Sequence, residues 1–461
     1  MDLSTTTKCR PPAPQPRTSP LGPLGLYRAL RANSISAWRA EAYEEPSIAD
    51  RNMLGGYILL NEPDLIRRVF IDNAANYPKD GLQLEKLTPA VGRGLLTAEP
   101  ESWRLQRRTV APLFQPLPVE RYLAPMAASL EEMLTRWDGH AAAGTIVDVA
   151  REMTALTYDI ISRTVFSHEI ETPADVMGEA ITTYFDALGR IDLWDVLPLP
   201  RWLPRPAFIK ARPAQKIFRE EVRRMLDRRR ARIAAGKPVP SDLVARLIEA
   251  RDPDTGEPLS DTVIHDNLVT FIGAGHETTA NALAWTLFLL SEFPDADARL
   301  AAEAKSVSEA PAADELARLN DTRMILEETL RLYPPVPLMS REALAHDCLG
   351  DAEVRPGTRV IIAPWVLHRH RKLWPDADLF IPERFAPENR AKIPRFAYLP
   401  FGAGARICVG MTFAMQEMLL ALAMIARRFR VRLVKGSTVM PLARMTLRPM
   451  HGLPMRTLRR G

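Results

Sequence analysis

The sequence predicts a mainly α-helical fold with small β-sheets, and two observations support it. Apolar residues recur at helical spacing in five segments, 129–137, 215–233, 263–293, 313–332 and 411–429. Short runs rich in β-branched residues are few, and the clearest are 57–60, 359–363 and 430–434. We therefore expect a helical core with minor sheets at its edge.

The second helical segment, 215–233, carries an arginine-rich run from Arg223 to Arg232. Such a run can neutralise phosphates, but no nucleic-acid motif accompanies it. We interpret it as a solvated helix face paired with Glu220, Glu221 and Asp227, and expect no nucleic-acid partner. A basic surface of this kind also fits an acidic protein partner.

Proline indicates how the chain is organised, since 40 of the 461 residues are proline. Six prolines fall between residues 11 and 23, so residues 1–45, which include Cys9, are predicted to form a Pro-rich leader. No similar linker follows, so residues 46–461 are predicted to form one large domain. A second cluster, 198–213, predicts an apolar connector that acts either as a lid or as a loop packed on the core.

Composition excludes several classes of protein. Three cysteines cannot form a disulfide scaffold, and the net charge of +5 is modest for this length. No apolar run reaches the roughly 20 residues that a membrane-spanning helix needs, and residues 1–25 contain no apolar segment typical of a secretory signal. We therefore expect a soluble, cytoplasmic and monomeric protein.

The residues most suggestive of chemistry lie in one ten-residue loop. Phe401, Gly404, Arg406, Cys408 and Gly410 precede the amphipathic segment 411–429. Glycines permit a tight turn and close approach of backbone to a flat ligand, while the helix N-terminus and nearby N–H groups would stabilise a thiolate. A buried structural cysteine and a catalytic thiol paired with histidine remain alternatives. Zinc and iron–sulfur sites need more ligands than Cys9 and Cys348 supply at their spacing.

This loop resembles the F-x-x-G-x-R-x-C-x-G haem-binding loop of the cytochromes P450. The resemblance extends over roughly residues 46–461. It implies the fold of that family, with haem b between the helix 263–293 and the helix after the cysteine loop. It also implies that Cys408 is the axial thiolate ligand of the iron, with Phe401, Arg406 and Gly410 around the cofactor.

The centre of the helix 263–293 is unusual, because Gly275, Thr278 and Thr279 are poor interior helix formers. We expect a local kink here that serves a ligand. The stretch Ala274 to Thr279 resembles the family's oxygen-activation motif. By that resemblance Ala274 lies beside the haem, Glu277 relays protons and Thr278 hydrogen-bonds the oxygen that is activated.

Further motifs follow the order found in the family. The E-x-x-R of Glu328 and Arg331, and Arg384 in a P-E-R-F segment, resemble its buried structural triad. Trp103 and Arg107 lie four residues apart, on one helix face, and resemble the residues that contact a haem propionate. The resemblance also assigns Arg341 and Arg406 to the propionates, for which arginine is geometrically suited.

The resemblance implies a monooxygenase that inserts one atom of O2 into a C–H bond of a hydrophobic small molecule such as a fatty acid, terpenoid or steroid. Its pocket is expected to include Ala274, Val336, Leu338, Met445 and the connector near Trp194 to Trp202. No flavin or ferredoxin module follows Gly461, so we expect electrons from NAD(P)H to arrive through a separate ferredoxin or flavodoxin-type system. A peroxide-using or isomerising relative and a non-catalytic haem protein remain alternatives.

Overall fold

Helices make up most of the protein, as predicted. The computed structural model describes residues 10–52, 55–196, 203, 205–252, 255–309 and 311–461. Its α-helices are α1 (Pro23–Ala32), α2 (Pro63–Arg67), α3 (Gly81–Val91), α4 (Pro100–Val110), α5 (Pro116–Glu120), α6 (Leu123–Ala143), α7 (Val149–Val165), α8 (Ala174–Leu188), α9 (Leu193–Val196), α10 (Pro206–Ala234), α11 (Leu243–Glu249), α12 (Asp261–Glu292), α13 (Pro294–Ala304), α14 (Ala313–Ala317), α15 (Asn320–Leu332), α16 (Pro364–Leu367), α17 (Pro387–Arg390) and α18 (Met411–Arg428). Across these ranges no helix combines the length and hydropathy needed to cross a bilayer.

The strands are short and form small sheets. They are β1 (Ser47–Asn52), β2 (Gly55–Leu60), β3 (Ile146–Asp148), β4 (Met339–Glu342), β5 (Asp347–Leu349), β6 (Ala352–Val354), β7 (Arg359–Ile362), β8 (Phe429–Leu433), β9 (Pro441–Ala443), β10 (Leu447–Pro449) and β11 (Pro454–Arg459). The largest sheet has the order β1-β2-β7-β4, with β2 and β7 parallel. A second has the order β3-β11-β8, and β5-β6 and β9-β10 are separate antiparallel pairs.

Helix α12 is the centre of the core. Its 32 residues begin after Ser260, whose side chain accepts a hydrogen bond from the Val263 N–H. Apolar residues surround most of its circumference because α7, α10, α15 and α18 all pack against it. Trp285 of α12 stacks on Tyr333 at a centroid distance of 4.0 Å, which fixes the chain after α15 against the same helix.

Two predicted helix boundaries were wrong. The segment 313–332 is divided into α14 and α15, because the Glu303 carboxylate accepts hydrogen bonds from the Asp321 and Thr322 N–H groups and starts a new helix there. Helix α10 begins at Pro206, so Pro213 lies inside a helix rather than in the predicted connector. The rest of that connector, including Trp202, lies outside the described residues except for residues 203 and 205.

The arginine-rich run of α10 is largely neutralised, by Glu221 as predicted and by carboxylates of other elements that were not predicted. Arg229 is buried and bonds both carboxylate oxygens of Asp242, at 2.9 and 2.7 Å. Arg230 pairs with Asp261, at the first turn of α12. Only the pairs with Glu221 lie within the helix, so most of these arginines join α10 to neighbouring elements.

Residues 10–45 pack onto the rest of the protein. The Tyr333 hydroxyl donates to the carbonyl of Pro12 at 2.9 Å. The Asn33 side chain donates to the carbonyl of Pro441 and accepts from the N–H of Ala443, at 2.8 and 3.0 Å. Cys9 and the remainder of residues 1–9 lie outside the described residues, and the division of the chain at residue 46 stays a prediction.

Candidate active site

The cysteine loop has the closed shape that its sequence predicts. The Cys408 N–H donates to the carbonyl of Phe401 at 3.0 Å, which brings the two ends of the loop together. Gly404 has a φ of +72°, and a Cβ there would lie 2.2 Å from the carbonyl oxygen of Phe70. Helix α18 then starts at Met411, so its N-terminus lies next to the thiol.

The Cys408 side chain is accessible and yet surrounded by protein. Its thiol is exposed, but burial raises its pKa, while the Gly410 N–H and the Arg107 guanidinium lower that pKa. An exposed group deep inside a protein faces an internal opening, which we call the Cys408 hollow. A Cβ added to Gly410 would meet no atom within 4 Å, so the chain leaves space there. No described histidine hydrogen-bonds the thiol, which leaves a Cys–His nucleophile without support.

The aromatic and cationic residues assigned by resemblance converge near this loop. Trp103 and Arg107 share α4, and Arg107 donates to the carbonyl of Ile407 at 2.9 Å. The Arg406 guanidinium lies over the Trp103 ring, 4.5 Å from its centroid. Arg341 of β4 lies close enough to Arg406 for the two cations to interact, and burial and Arg406 together lower the pKa of Arg341 to about 10. Atom Nη1 of Arg406 is buried and has no hydrogen-bond partner among the described residues.

The centre of α12 is helical without interruption, so the predicted kink is not seen as a break. A Cβ at Gly275 would lie 2.2 Å from Cδ1 of Ile161, so glycine permits the close approach of α7. Ala274 is exposed although most of α12 is buried, and therefore faces an internal opening. The half-buried Thr278 donates to the carbonyl of Ala274 at 3.1 Å, which leaves its hydroxyl oxygen free to accept.

Glu277 lies beside Thr278 in sequence but contacts a different space. Its carboxylate accepts a hydrogen bond from the Thr446 hydroxyl at 2.6 Å, and its second oxygen is buried with no partner in the part of the chain that the structure describes. Glu277 lines a hollow of about 950 Å³. Ser129 and Asn281 also line it, and within the described ranges neither the Ser129 hydroxyl nor the Asn281 amide nitrogen has a hydrogen-bond partner. Three unsatisfied polar groups around one space indicate a hydrated chamber, because water can satisfy all of them.

The predicted triad forms a buried network. Arg331 makes two hydrogen bonds to Glu328, at 2.7 and 2.8 Å, and neither side chain is exposed. The remaining donors of Arg331 reach the carbonyls of His368, Ala377 and Leu379. Arg384 lies 3.4 Å from Glu328. This network joins α15 to the segment that leads toward the cysteine loop.

The residues predicted to line the substrate pocket come from three parts of the chain: α12, the segment between α15 and β4, and the turn between β9 and β10. Leu338 is 37% exposed, whereas its neighbour Pro337 is buried. Val336 and Met445 are half-buried. A Cβ at Gly189, after α8, would lie 2.6 Å from the backbone nitrogen of Met445, so this turn packs against the end of α8.

Two polar residues near the site were missed by the sequence-based predictions. Thr446 holds Glu277, and Lys79 lies beside Arg341 and Arg406. Neither belongs to a recognisable motif. The Thr446 contact joins residues 169 positions apart, so only the folded chain brings the pair together.

The buried acid predicts a pH-dependent stability. Burial raises the pKa of Glu277 from 4.5 to about 7, although the Thr446 hydroxyl and Arg448 lower that pKa. The folded protein therefore binds this proton more tightly than the unfolded chain, so stability falls as the pH rises from about 4.5 to 7. Glu277→Gln should be increasingly stabilising relative to the parent over this range, by roughly 3 kcal/mol at most, in thermal unfolding followed by circular dichroism.

Thr446→Val provides the matched control for this measurement. Losing the hydroxyl removes a hydrogen bond that favours the ionised carboxylate, so the cost of the variant should be greater at pH 8 than at pH 4. A Glu277→Gln variant whose difference from the parent is the same at both pH values would contradict the raised pKa.

A thiol next to a helix N-terminus, together with arginines that have no carboxylate partner among the described residues, is the arrangement expected of a protein that binds an anionic cofactor through a thiolate. The family model for cytochrome P450 matches residues 54–454. The chain belongs to the cytochrome P450 family and is a monooxygenase of that family. Its members use haem iron with a thiolate ligand and dioxygen.

Curated relatives and solved structures agree with this assignment. Cyclooctatin synthase of Streptomyces melanosporofaciens is 35% identical over 388 residues, which are 84% of this chain and 83% of that protein. Pentalenene oxygenase of Streptomyces avermitilis is 32% identical over 391 residues, 84% of each chain. A crystal structure of a cytochrome P450 superposes with a TM-score of 0.79 at 28% identity and covers 95% of this chain and 98% of its own. The predicted family and fold class are thus confirmed.

Proposed function

We propose that the protein hydroxylates a C–H bond of a hydrophobic small molecule, with a terpenoid as the preferred class. The observation that carries the proposal is the placement of Cys408 in the loop just before α18 and of the Glu277–Thr278 pair on α12, two helices that pack against each other. The relatives support the terpenoid class, since one is named for oxygenation of pentalenene and another is a cyclooctat-9-en-7-ol 5-monooxygenase of Streptomyces melanosporofaciens, 33% identical over 381 residues.

The residues around the Cys408 hollow fit haem. Cys408 is accessible, an added Cβ at Gly410 would meet no atom within 4 Å, and the buried Nη1 of Arg406 has no hydrogen-bond partner among the described residues. Cys408 would bind the iron, and Trp103, Arg107, Arg341 and Arg406 would surround the propionates, with Phe401 and Ala274 near the ring. When bound, haem supplies the iron at which dioxygen is reduced and activated.

The protein's own groups would control protons and substrate. Glu277 can hold a proton near neutral pH and exchange it with water in the hydrated chamber. Thr278 lies one residue further along α12, where its hydroxyl can pass a proton toward the Cys408 hollow. Val336, Leu338 and Met445 would hold an apolar substrate and exclude water from the reaction. Electrons would come from NAD(P)H through a separate ferredoxin or flavodoxin-type partner.

A turnover assay in 18O2 tests this function. The purified holoprotein is supplied with NADPH, a ferredoxin and its reductase, and panels of polycyclic terpenes, fatty acids and steroids. We expect one 18O atom per product, strongest turnover within the terpene panel and no turnover without the reductase. Thr278→Ala should consume NADPH but release more hydrogen peroxide and less product. Equal turnover with hydrogen peroxide alone, or no oxygenated product from any panel, would contradict the proposal.

A further inference from the structure

The β9–β10 hairpin is a small element that depends on the rest of the protein for its position. Each strand has three residues, and the register pairs Ala443 with Leu447 and Pro441 with Pro449. A two-stranded hairpin is at best marginally stable by itself in water. The groups that hold its two edges therefore determine where its turn, residues 444–446, lies.

One edge of the hairpin is held by the core. The Leu447 N–H donates to the carbonyl of Pro335 at 2.9 Å, and the Leu447 carbonyl accepts a hydrogen bond from the Trp285 indole at 3.2 Å. Because Trp285 belongs to α12, β10 is fixed to the helix that also carries Glu277.

The other edge of the hairpin is held by Asn33, a buried residue that follows α1. Its side chain donates to the carbonyl of Pro441 at 2.8 Å and accepts from the Ala443 N–H at 3.0 Å. The amide thus presents one donor and one acceptor to β9, as the backbone of a third strand would. The N-terminal segment therefore completes an element that lies about 400 residues further along the chain.

The turn of this hairpin reaches the candidate active site. Thr446 donates to the Glu277 carboxylate at 2.6 Å, and Met445 is among the residues proposed to hold the substrate. The turn also packs against the end of α8, at Gly189. Ala443 lies two residues before Met445 and three before Thr446, so a shift of β9 would move both side chains.

Ion pairs give the turn weaker support. Asp186 of α8 lies 3.5 Å from Arg444 and 2.7 Å from Arg448, but its side chain is 24% exposed, so water screens both pairs. The contacts of Asn33 are buried, and their loss would leave a backbone N–H and a carbonyl of β9 without those partners. We therefore expect β9 to respond more to the loss of Asn33 than to the loss of Asp186.

We propose that Asn33 is a positioning residue for the reaction: by holding β9 it sets where Met445 and Thr446 lie, and so which C–H bond of the substrate is oxidised. This inference rests on the proposed function and gives a role in it to the N-terminal segment, for which the sequence predicted only a leader. An asparagine that merely stabilises the fold would, when replaced, lower stability without changing the products.

Hydrogen exchange tests the first step, the hold of Asn33 on β9. Backbone amide exchange of the holoprotein is followed by mass spectrometry in the parent, Asn33→Ala and Asn61→Ala. We expect Asn33→Ala to speed exchange in peptides that cover residues 441–449 by roughly tenfold. Asn61→Ala is the matched control, because Asn61 is also buried and its amide donates to the carbonyls of Ala42 and Glu45, both at 2.9 Å. It should leave exchange in the hairpin at the parental rate.

The product distribution tests the second step, the effect on the reaction. The three holoproteins, matched for bound haem, oxidise the terpene that the parent converts fastest in the 18O2 assay, and the products are separated by gas chromatography. We expect Asn33→Ala to change the ratio of regioisomers by about threefold or more. It should also release more hydrogen peroxide per NADPH, because Thr446 no longer holds Glu277 in place. Asn61→Ala should keep the parental ratio.

Unchanged exchange across residues 441–449 in Asn33→Ala would overturn the proposal, and so would product ratios that are the same in all three proteins or that change equally in both variants. A parent that forms no oxygenated product would instead contradict the proposed function, and the exchange result would still decide whether Asn33 holds the hairpin. If Asn33→Ala does not fold, Asn33→Ser, which keeps a smaller polar group, provides the same comparison.

Discussion

Cys408→Ser is expected to abolish the red-shifted absorbance band of the reduced, carbon-monoxide-bound protein, and hydroxylation with it. The band depends on a thiolate that donates electron density to the iron, and serine cannot provide this ligand near neutral pH. In this protein the Gly410 N–H and Arg107 both favour the thiolate, against the effect of burial. The spectrum of the reduced protein under carbon monoxide measures the loss directly.

Cys348→Ser is the control for this experiment. Cys348 lies on β5 and, like Cys408, is a free and exposed cysteine. Its replacement should leave the spectrum and the activity unchanged, which separates a ligand effect from a general effect of losing a thiol. A Cys408→Ser protein that keeps the shifted band, or a parent protein with an unshifted band typical of histidine ligation, would contradict the assigned ligand.

Local sequence predicted the elements that local interactions determine. Helices α12 and α18 and strands β2, β7 and β8 lie where their periodicity places them, within a few residues. The boundary between α14 and α15 was missed because it depends on Glu303, a side chain from another helix. The start of α10 was missed because proline is tolerated at the first turn of a helix. The proline cluster therefore led to a predicted connector that extends past the true start of the helix at Pro206.

In the candidate site, too, features that depend on neighbouring residues in the sequence were predictable, and features that depend on distant residues were not. Cys408 and Arg406 were predictable because the loop and the helix that position them are contiguous in sequence. The reason for Gly275 was not predictable, since it depends on the approach of Ile161 from α7. Lys79 and Thr446 were missed because a single polar residue indicates no function in the sequence. Its role is visible only when the fold brings residues from distant parts of the chain next to it. The roles of the individual site residues remain predictions that the variants above test.

Arg331→Met is expected to destabilise the protein by about 3–5 kcal/mol, because it leaves the Glu328 carboxylate buried without its cation. The arginine also satisfies the carbonyls of His368, Ala377 and Leu379, which would each lose a donor. Arg331→Lys should recover little, since an ammonium group cannot reproduce the planar set of five donors. The midpoint of urea-induced unfolding measures both variants.

A second E-x-x-R pattern in the chain serves as a control for the Glu328–Arg331 prediction. Glu315 and Arg318 form the same E-x-x-R pattern, but the Arg318 side chain is exposed and lies 3.6 Å from Asp314. Arg318→Met should change stability by less than about 1 kcal/mol, because solvent screens an exposed pair. Similar losses for Arg331→Met and Arg318→Met would refute the argument that burial gives the Glu328–Arg331 pair its importance. The expected difference follows from burial and contacts, since the two arginines occupy the same position in an E-x-x-R pattern.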